Sequence, residues 1–138
     1  MVPVQLNHKC GKGEIMPGKT VNVLVLDDEE SIRQSIAAYL EDEGFTVFQA
    51  ASGEEALDFV GNNSICAAIV DIRLPGMDGN TFMIRAWEMD PTLQFLVHTG
   101  SADYVLPKSF NSIGIGVKAV FIKPVHDLNL LVLALNNL

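Results

Sequence analysis

A short apolar run near the middle of the chain, residues 67–70, stops abruptly at a carboxylate, Asp71, and a Pro75-Gly76 turn follows. Continuous apolar, β-branched character is typical of a strand buried on both faces, whereas Pro and Gly turn a chain. Asp71 is therefore predicted to end a central strand. In an open α/β sheet, ligands bind in the crevice beyond the carboxyl ends of the strands. This position predicts a chemical role for Asp71 rather than a packing role.

Four other apolar runs alternate with segments of helical periodicity. The predicted strands cover residues 21–26, 45–49, 67–70, 94–98 and 117–122. Strands that alternate with helices at this spacing predict a parallel sheet with right-handed crossovers. The chain is thus expected to form an α/β domain of five strands and five helices, of which the fourth helix is short because Pro107 limits it.

Two helix starts carry recognisable capping signals. Ser52, followed three residues later by Glu55, forms a capping box. Asp78, after the Pro75-Gly76 turn, is predicted to cap the next helix. That helix carries an aromatic and methionine stripe, which we interpret as core rather than as a cofactor site.

Composition limits the number of domains and the classes of partner. A chain of 138 residues that is 49% hydrophobic is long enough for one domain with a real core. Its formal net charge of -8 argues against direct nucleic-acid binding, because contact with a phosphate backbone requires clustered Lys and Arg. Cys10 and Cys66 suggest neither a disulfide framework nor a metal-ligand cluster, which fits a reducing cytoplasm. No apolar run approaches the ~20 residues of a membrane span, so we expect no membrane association.

The first 20 residues differ from the rest of the chain. They contain three Gly and two Pro and show no hydrophobic period, which predicts a disordered leader before a domain spanning residues 21–138. Met16 is a second candidate start, because the codons for Lys12-Gly13-Glu14 can contain a ribosome-binding sequence. The intact mass of the protein from its native source distinguishes the two starts.

Functional side chains follow four of the five predicted strands. They are Asp27 and Asp28, Asp71, Thr99 and Lys123. Acids at a helix N-terminus can simply cap amides and complement the helix dipole, which is the alternative interpretation of Asp27 and Asp28. An adjacent acid pair at one strand end, with another acid ending a later strand, favours a cation site instead.

Four ordered motifs resemble the receiver domain of two-component response regulators. They are VLVLDDE at 23–29, VDIRLPGMDG at 70–79, TG at 99–100 and KP at 123–124. The resemblance runs from about Val21 to the C-terminus. It implies a flavodoxin-like receiver fold, an open parallel sheet of strand order 2-1-3-4-5 with helices on both faces. The strand order comes from the resemblance and not from the spacing.

The same resemblance implies a function for Asp71, which would accept a phosphoryl group from a phosphohistidine on a sensor histidine kinase or a histidine phosphotransfer protein. Around Asp71 it implies Asp27, Asp28 and the backbone carbonyl of Arg73 as further Mg²⁺ ligands, and Thr99 and Lys123 as phosphoryl contacts. Phosphoryl transfer needs an in-line nucleophile and charge neutralisation, and Mg²⁺ prefers oxygen ligands. Such a protein is not a conventional enzyme, because it catalyses only its own phosphorylation and dephosphorylation.

The resemblance also implies that phosphorylation changes the face formed by the fourth helix, the fifth strand and the fifth helix. Many receivers carry Tyr or Phe three residues before the lysine, whereas this chain has Val120. Phe121 is adjacent and should point to the opposite face of the strand. We therefore expect no standard aromatic switch. His98, directly before Thr99, is interpreted as a packed strand residue rather than a ligand.

The final predicted helix is apolar almost all round, whereas a surface helix normally shows a single stripe. The residues expected to pack on the sheet are Leu128, Leu131, Val132 and Leu135. Leu130 and Leu133 would then remain for a partner, either a second copy of the chain or a neighbouring domain. A few exposed leucines without a partner are the simpler alternative.

Two other functions are compatible with parts of the sequence. A pseudo-receiver would bind partners without phosphorylation; the complete set of acids, hydroxyl and lysine argues against it, whereas Val120 leaves it open. A phosphatase of the haloacid-dehalogenase kind also uses an Asp nucleophile and Mg²⁺. Such enzymes place two acids as Asp-x-Asp after the first strand, unlike the adjacent Asp27-Asp28 pair and the central Asp71.

Overall fold

The computed structural model describes residues 21–138. The predictions of a disordered leader and of a start at Met16 lie outside these residues. The strands are β1 (Asn22–Leu26), β2 (Thr46–Ala50), β3 (Ala67–Val70), β4 (Gln94–Thr99) and β5 (Gly116–Ile122). The helices are α1 (Glu30–Asp42), α2 (Gly53–Asn62), α3 (Gly79–Met89), α4 (Lys108–Ile113) and α5 (Asn129–Asn136).

The five strands form one parallel sheet in the order β2-β1-β3-β4-β5, which confirms the expected fold class and strand order. Leu26 of β1 pairs with Val70 of β3. Asp27 and Asp71 directly follow these two residues. They therefore lie next to each other at the carboxyl ends of neighbouring strands. Strand β4 extends one residue further than predicted because Thr99 still pairs with β5.

Helices cover both faces of the sheet, and each face has its own buried apolar cluster. The first cluster lies under α2, α3 and α4, and its largest side chains are Phe82, Phe95 and Phe110. The second lies under α1 and α5 and includes Ile36 and Leu131. The methionine and aromatic stripe of α3 belongs to the first cluster, which confirms its interpretation as core.

Both predicted helix caps are present. Ser52 Oγ accepts a hydrogen bond from the Glu55 N–H at 3.2 Å, and Glu55 Oε1 accepts one from the Ala51 N–H at 2.8 Å. Asp78 Oδ1 accepts a hydrogen bond from the Thr81 N–H at 2.8 Å. These contacts fix the first residues of α2 and α3. Helix α3 begins directly after the loop that follows Asp71.

Helix α4 has only six residues, between Pro107 and Gly114, and Gly114 takes a left-handed conformation at φ 93°. So short a helix covers little of β5, and Val120 and Ile122 are 41% and 40% exposed. Phe121 packs in the second cluster on the other side of the sheet. The prediction that positions 120 and 121 face opposite ways is confirmed.

Helix α5 divides its leucines as predicted. Buried against the sheet or packed on its cluster are Leu128, Leu131, Val132 and Leu135. Leu130 and Leu133 are 46% and 49% exposed. Among residues 21–138, no helix has both the length and the apolar character required to cross a bilayer.

Candidate functional site

Three carboxylates meet at the carboxyl edge of the sheet. Asp27 and Asp28 follow β1, and Asp71 follows β3. Each offers a carboxylate oxygen, and these oxygens all lie within 4.8 Å of one another. Asp27 and Asp71 are buried, whereas Asp28 is exposed. The fold therefore assembles the acidic cluster that the sequence predicts.

The Lys123 ammonium lies among the acids. Its Nζ is 3.0 Å from Asp27 Oδ2, 3.1 Å from Glu29 Oε1 and 3.2 Å from Asp71 Oδ2. The Lys123 backbone N–H donates a hydrogen bond to the Thr99 carbonyl at 2.8 Å. The end of β5 is thus tied both to the end of β4 and to the carboxylates.

Sequence reasoning missed Glu29 as a member of this site. Its backbone is extended, with φ -86° and ψ 107°, just before α1 begins. Alternate residues of an extended segment point to the same side, so the side chains of Asp27 and Glu29 can both reach Lys123. The run of four acids from Asp27 to Glu30 is the sequence signal for this contact, because it places an acid two residues beyond Asp27.

Thr99 and His98 lie side by side at the end of β4 and face opposite ways along the strand. Thr99 is fully buried, and its Oγ1 accepts a hydrogen bond from the Ser101 N–H at 3.1 Å. The hydroxyl proton of Thr99 therefore remains available to a further acceptor. His98 is 4% exposed, which confirms it as a packed strand residue. Its pKa is lowered mainly by burial and further by the nearby positive charge of Lys123.

The loop between β3 and α3 folds tightly over the end of β3. The Gly79 N–H donates to the Ile72 carbonyl at 2.8 Å. A side chain at position 79 would collide with the Asp71 carbonyl and the Ile72 Cα. Arg73 lies inside this loop, two residues beyond Asp71, and its side chain is exposed.

The electrostatics of the site leave an excess of negative charge. Burial raises the pKa of Asp71 above its ordinary value and the Asp27 carboxylate raises it further, whereas Lys123 lowers it. Burial alone lowers the pKa of Lys123, but the hydrogen bond and charge of Asp27, with those of Asp71 and Glu29, hold it above its ordinary value. Lys123 therefore remains charged and neutralises the acids only in part.

The residues present suit a small, hard divalent cation. Asp27 Oδ1 accepts a hydrogen bond from the Glu29 N–H at 2.9 Å. Asp27 Oδ2 is buried, and the Lys123 ammonium at 3.0 Å is its contact among the described residues, which leaves its second lone pair free. A buried carboxylate oxygen with a free lone pair, beside two more carboxylates, matches the oxygen-ligand preference of Mg²⁺.

Replacing Asp71 with Asn is expected to stabilise the metal-free protein at neutral pH. The folded-state pKa of Asp71 is raised, so above that pKa folding must hold an unfavourable negative charge, which Asn removes. The advantage of the variant should shrink as the pH falls through the raised pKa, where the wild type binds a proton instead. Urea unfolding in chelator at neutral and acidic pH measures both effects. A variant less stable than the wild type at neutral pH would contradict this prediction.

Comparison with known families matches residues 23–136 to the response regulator receiver domain. The chain belongs to this family. The resemblance inferred from the four sequence motifs is therefore confirmed, and the chain is a signalling domain rather than a classical enzyme. Receiver domains of response regulators interact with histidine kinases, and the family as a whole uses an acidic Mg²⁺ pocket like the cluster described above.

Curated relatives of this receiver are longer proteins. It is 34% identical over 103 residues to the C4-dicarboxylate transport transcriptional regulatory protein DctD of Rhizobium meliloti, covering 75% of this chain and 22% of DctD. It is 34% identical over 115 residues to a putative NtrX-like response regulator of Rickettsia typhi, covering 82% and 24%. The receiver thus spans about a quarter of the length of these relatives.

Solved structures agree with the fold. A CheY-like response regulator receiver domain protein from Methanospirillum hungatei is 30% identical with a TM-score of 0.76, covering 86% of this chain and 93% of that one. A response regulator protein from Burkholderia pseudomallei, described with a phosphorylated aspartic acid, a calcium ion and citrate, is 28% identical with a TM-score of 0.71. That match covers 83% of this chain and 66% of the other.

Proposed function

We propose that this receiver accepts a phosphoryl group on Asp71 from a phosphohistidine of a sensor histidine kinase or histidine phosphotransfer protein, in a reaction that requires Mg²⁺. The observation that carries the proposal is the convergence on Asp71 of one ammonium and two further carboxylates. Lys123 Nζ lies 3.2 Å from Asp71 Oδ2, and oxygens of Asp27 and Asp28 lie within 4.8 Å. Catalysis of phosphoryl transfer consists mainly of such positioning and charge neutralisation.

In the proposed reaction an Asp71 carboxylate oxygen attacks phosphorus. The new O–P bond forms as the P–N bond to the donor histidine breaks, and the imidazole leaves with the electron pair of that bond. Mg²⁺ held by Asp27, Asp28, Asp71 and the backbone carbonyl of Arg73 would supply positive charge to the phosphoryl oxygens. Lys123 supplies a second positive charge from the side of β5.

Thr99 and Lys123 are proposed to transmit the phosphorylation state. A phosphoryl group adds about -1.5 to -2 charge and three strong acceptors at Asp71. The free proton of the Thr99 hydroxyl and the Lys123 ammonium are donors for those acceptors. The Lys123 backbone N–H is hydrogen-bonded to the Thr99 carbonyl. The ends of β4 and β5 would therefore move together when Asp71 is phosphorylated.

The surface that responds is proposed to be the face formed by α4, β5 and α5. This face exposes apolar side chains of β5 at Val120 and Ile122 and of α5 at Leu130 and Leu133. Val120 stands at the position of the usual aromatic residue. A conformational change of this partly exposed face would therefore transmit the signal without the rotation of an aromatic side chain.

Intact-mass spectrometry tests the proposal directly. The protein is incubated with acetyl phosphate and Mg²⁺, and separately with a phosphohistidine donor protein, each with and without chelator. A gain of one phosphoryl group that depends on Mg²⁺ is expected. No gain from either donor would refute the proposal and favour a pseudo-receiver that acts through protein contacts alone.

The exposed leucines of α5 are proposed to bind a second copy of this receiver or a neighbouring domain. Substituting Leu130 and Leu133 together with Ser should leave stability nearly unchanged, because both side chains are about half exposed. The matched Leu131→Ala change removes a fully buried side chain and should cost about 3 kcal/mol.

For a homodimer, light scattering at high micromolar concentration would give twice the chain mass for the wild type and the monomer mass for the double variant. A wild type that stays monomeric with and without phosphorylation contradicts the homodimer.

A further inference from the structure

Arg33, in the first turns of α1, contacts the backbone beneath the acidic cluster. Its Nη1 donates a hydrogen bond to the Asp27 carbonyl at 2.9 Å. Its Nε donates to Gln49 Oε1 at 3.3 Å. The guanidinium thus spans from α1 to the end of β1 and to β2, and no sequence motif marks this role.

Asp27 is held by hydrogen bonds at both of its backbone polar groups and at one carboxylate oxygen. Its N–H donates to the Ala50 carbonyl at 3.1 Å, and its Oδ1 accepts from the Glu29 N–H at 2.9 Å. The Arg33 contact fixes the remaining group, the carbonyl, and therefore the plane of the peptide that joins Asp27 to Asp28. That plane sets the direction in which Asp28 leaves the strand.

The choice of a backbone carbonyl as partner matters for the charge of the site. Lys123 contacts the carboxylate oxygens themselves. Its ammonium therefore competes for oxygens that would bind a metal cation. Arg33 directs its donors to the Asp27 carbonyl and to Gln49 instead. It can therefore orient the acids without competing with a cation for their oxygens.

Gln49 in turn orients Arg33. It pairs with Val25 in the sheet, and Val47, two residues earlier, packs in the cluster under α1 and α5. Because alternate strand residues share a face, Gln49 lies on the side that α1 covers. A planar guanidinium with one nitrogen on Gln49 and another on Asp27 has little freedom to rotate.

We propose that Arg33, oriented by Gln49, is a positioning residue that holds the Asp27-Asp28 turn in the geometry required for Mg²⁺ binding. The proposal rests on the metal site of the proposed function. Outer-shell partners of metal ligands commonly change metal affinity by 10- to 100-fold when they are removed. Arg33→Met, which keeps the apolar stem but removes the donors, is expected to weaken Mg²⁺ binding by roughly that factor.

Titration of the isotope-labelled protein with Mg²⁺ alone, followed by NMR amide shifts, measures the affinity without any phosphoryl transfer. Arg33→Lys keeps one donor for the Asp27 carbonyl and should bind with an affinity between those of the wild type and Arg33→Met. Arg85→Met is the matched control, because Arg85 is exposed on α3 and the charge change is identical. All variants are titrated at a temperature where each is fully folded.

Asp28→Asn separates the two levels of the proposal. If the wild type shows no saturable shifts, or if Asp28→Asn binds Mg²⁺ as the wild type does, the proposed metal site fails and the role of Arg33 falls with it. If the wild type binds and Asp28→Asn does not, the metal site stands. In that case, wild-type affinity in Arg33→Met, or equal losses in the Met and Lys variants, would overturn the positioning role of Arg33 alone.

Discussion

Replacing Asp71 with Asn is expected to abolish phosphoryl acceptance completely. The amide has no ionised oxygen to attack phosphorus, while its size and its place at the end of β3 are retained. Asp71 is buried beside Lys123 and Asp27, and the amide keeps that position without the negative charge. Intact-mass spectrometry after incubation with acetyl phosphate and Mg²⁺ should detect the added group in the wild type and none in the variant.

Asp78→Asn is the matched control for that experiment. It makes the same chemical change seven positions away, at the cap of α3, where Asn serves as well as Asp. We expect this variant to be phosphorylated like the wild type. Phosphorylation of Asp71→Asn at the wild-type rate would mean that the acceptor is another residue, and the proposed assignment would be wrong.

Replacing Gly79 with Ala is expected to lower the free energy of unfolding by about 2 kcal/mol. Alanine in the first turn of α3 should gain up to about 1 kcal/mol from helix propensity. The added methyl group, however, meets backbone atoms of Asp71 and Ile72, which cannot move aside as a flexible side chain would. Overpacking of this kind costs about 3 kcal/mol at the upper end of its usual range, so the collision outweighs the propensity. Urea unfolding of the metal-free protein measures the difference.

Gly100→Ala is the control for the glycine substitution, because nothing lies within 4 Å of a methyl group at that position. Its stability should stay close to that of the wild type. If Gly79→Ala proved as stable as the wild type, the loop over Asp71 would have to be far more adaptable than its hydrogen bond from Gly79 to Ile72 indicates.

Local patterns in the sequence predicted most of the fold. Apolar runs and capping residues are properties of adjacent positions, so the strands and the starts of α2 and α3 could be recognised without any tertiary information. The acids at the ends of β1 and β3 could also be placed together, because parallel strands end at a common edge. The division of the α5 leucines followed from helical periodicity.

The contacts that the sequence did not predict depend on register and rotamer. Lys123 reaches Glu29 across 94 positions, and Arg33 reaches Gln49 across 16. Neither pair can be recognised from spacing, because the first contact forms only once β5 joins the sheet and the second only once α1 packs on it. The exposure of Val120 likewise depends on how much of β5 the short helix α4 covers. The sequence alone therefore does not determine those side-chain contacts of the site that form when helices and strands pack together.

The ammonium among three carboxylates has a consequence for the protein without a bound cation. Without Lys123, the acids at the ends of β1 and β3 would repel one another with no opposing charge from β5 between them, which would lower the stability of the fold. Lys123 arrives with the last strand and acts as an internal counterion. The folded protein can therefore hold its acidic cluster together without a bound divalent cation, because part of the negative charge is neutralised from within the chain.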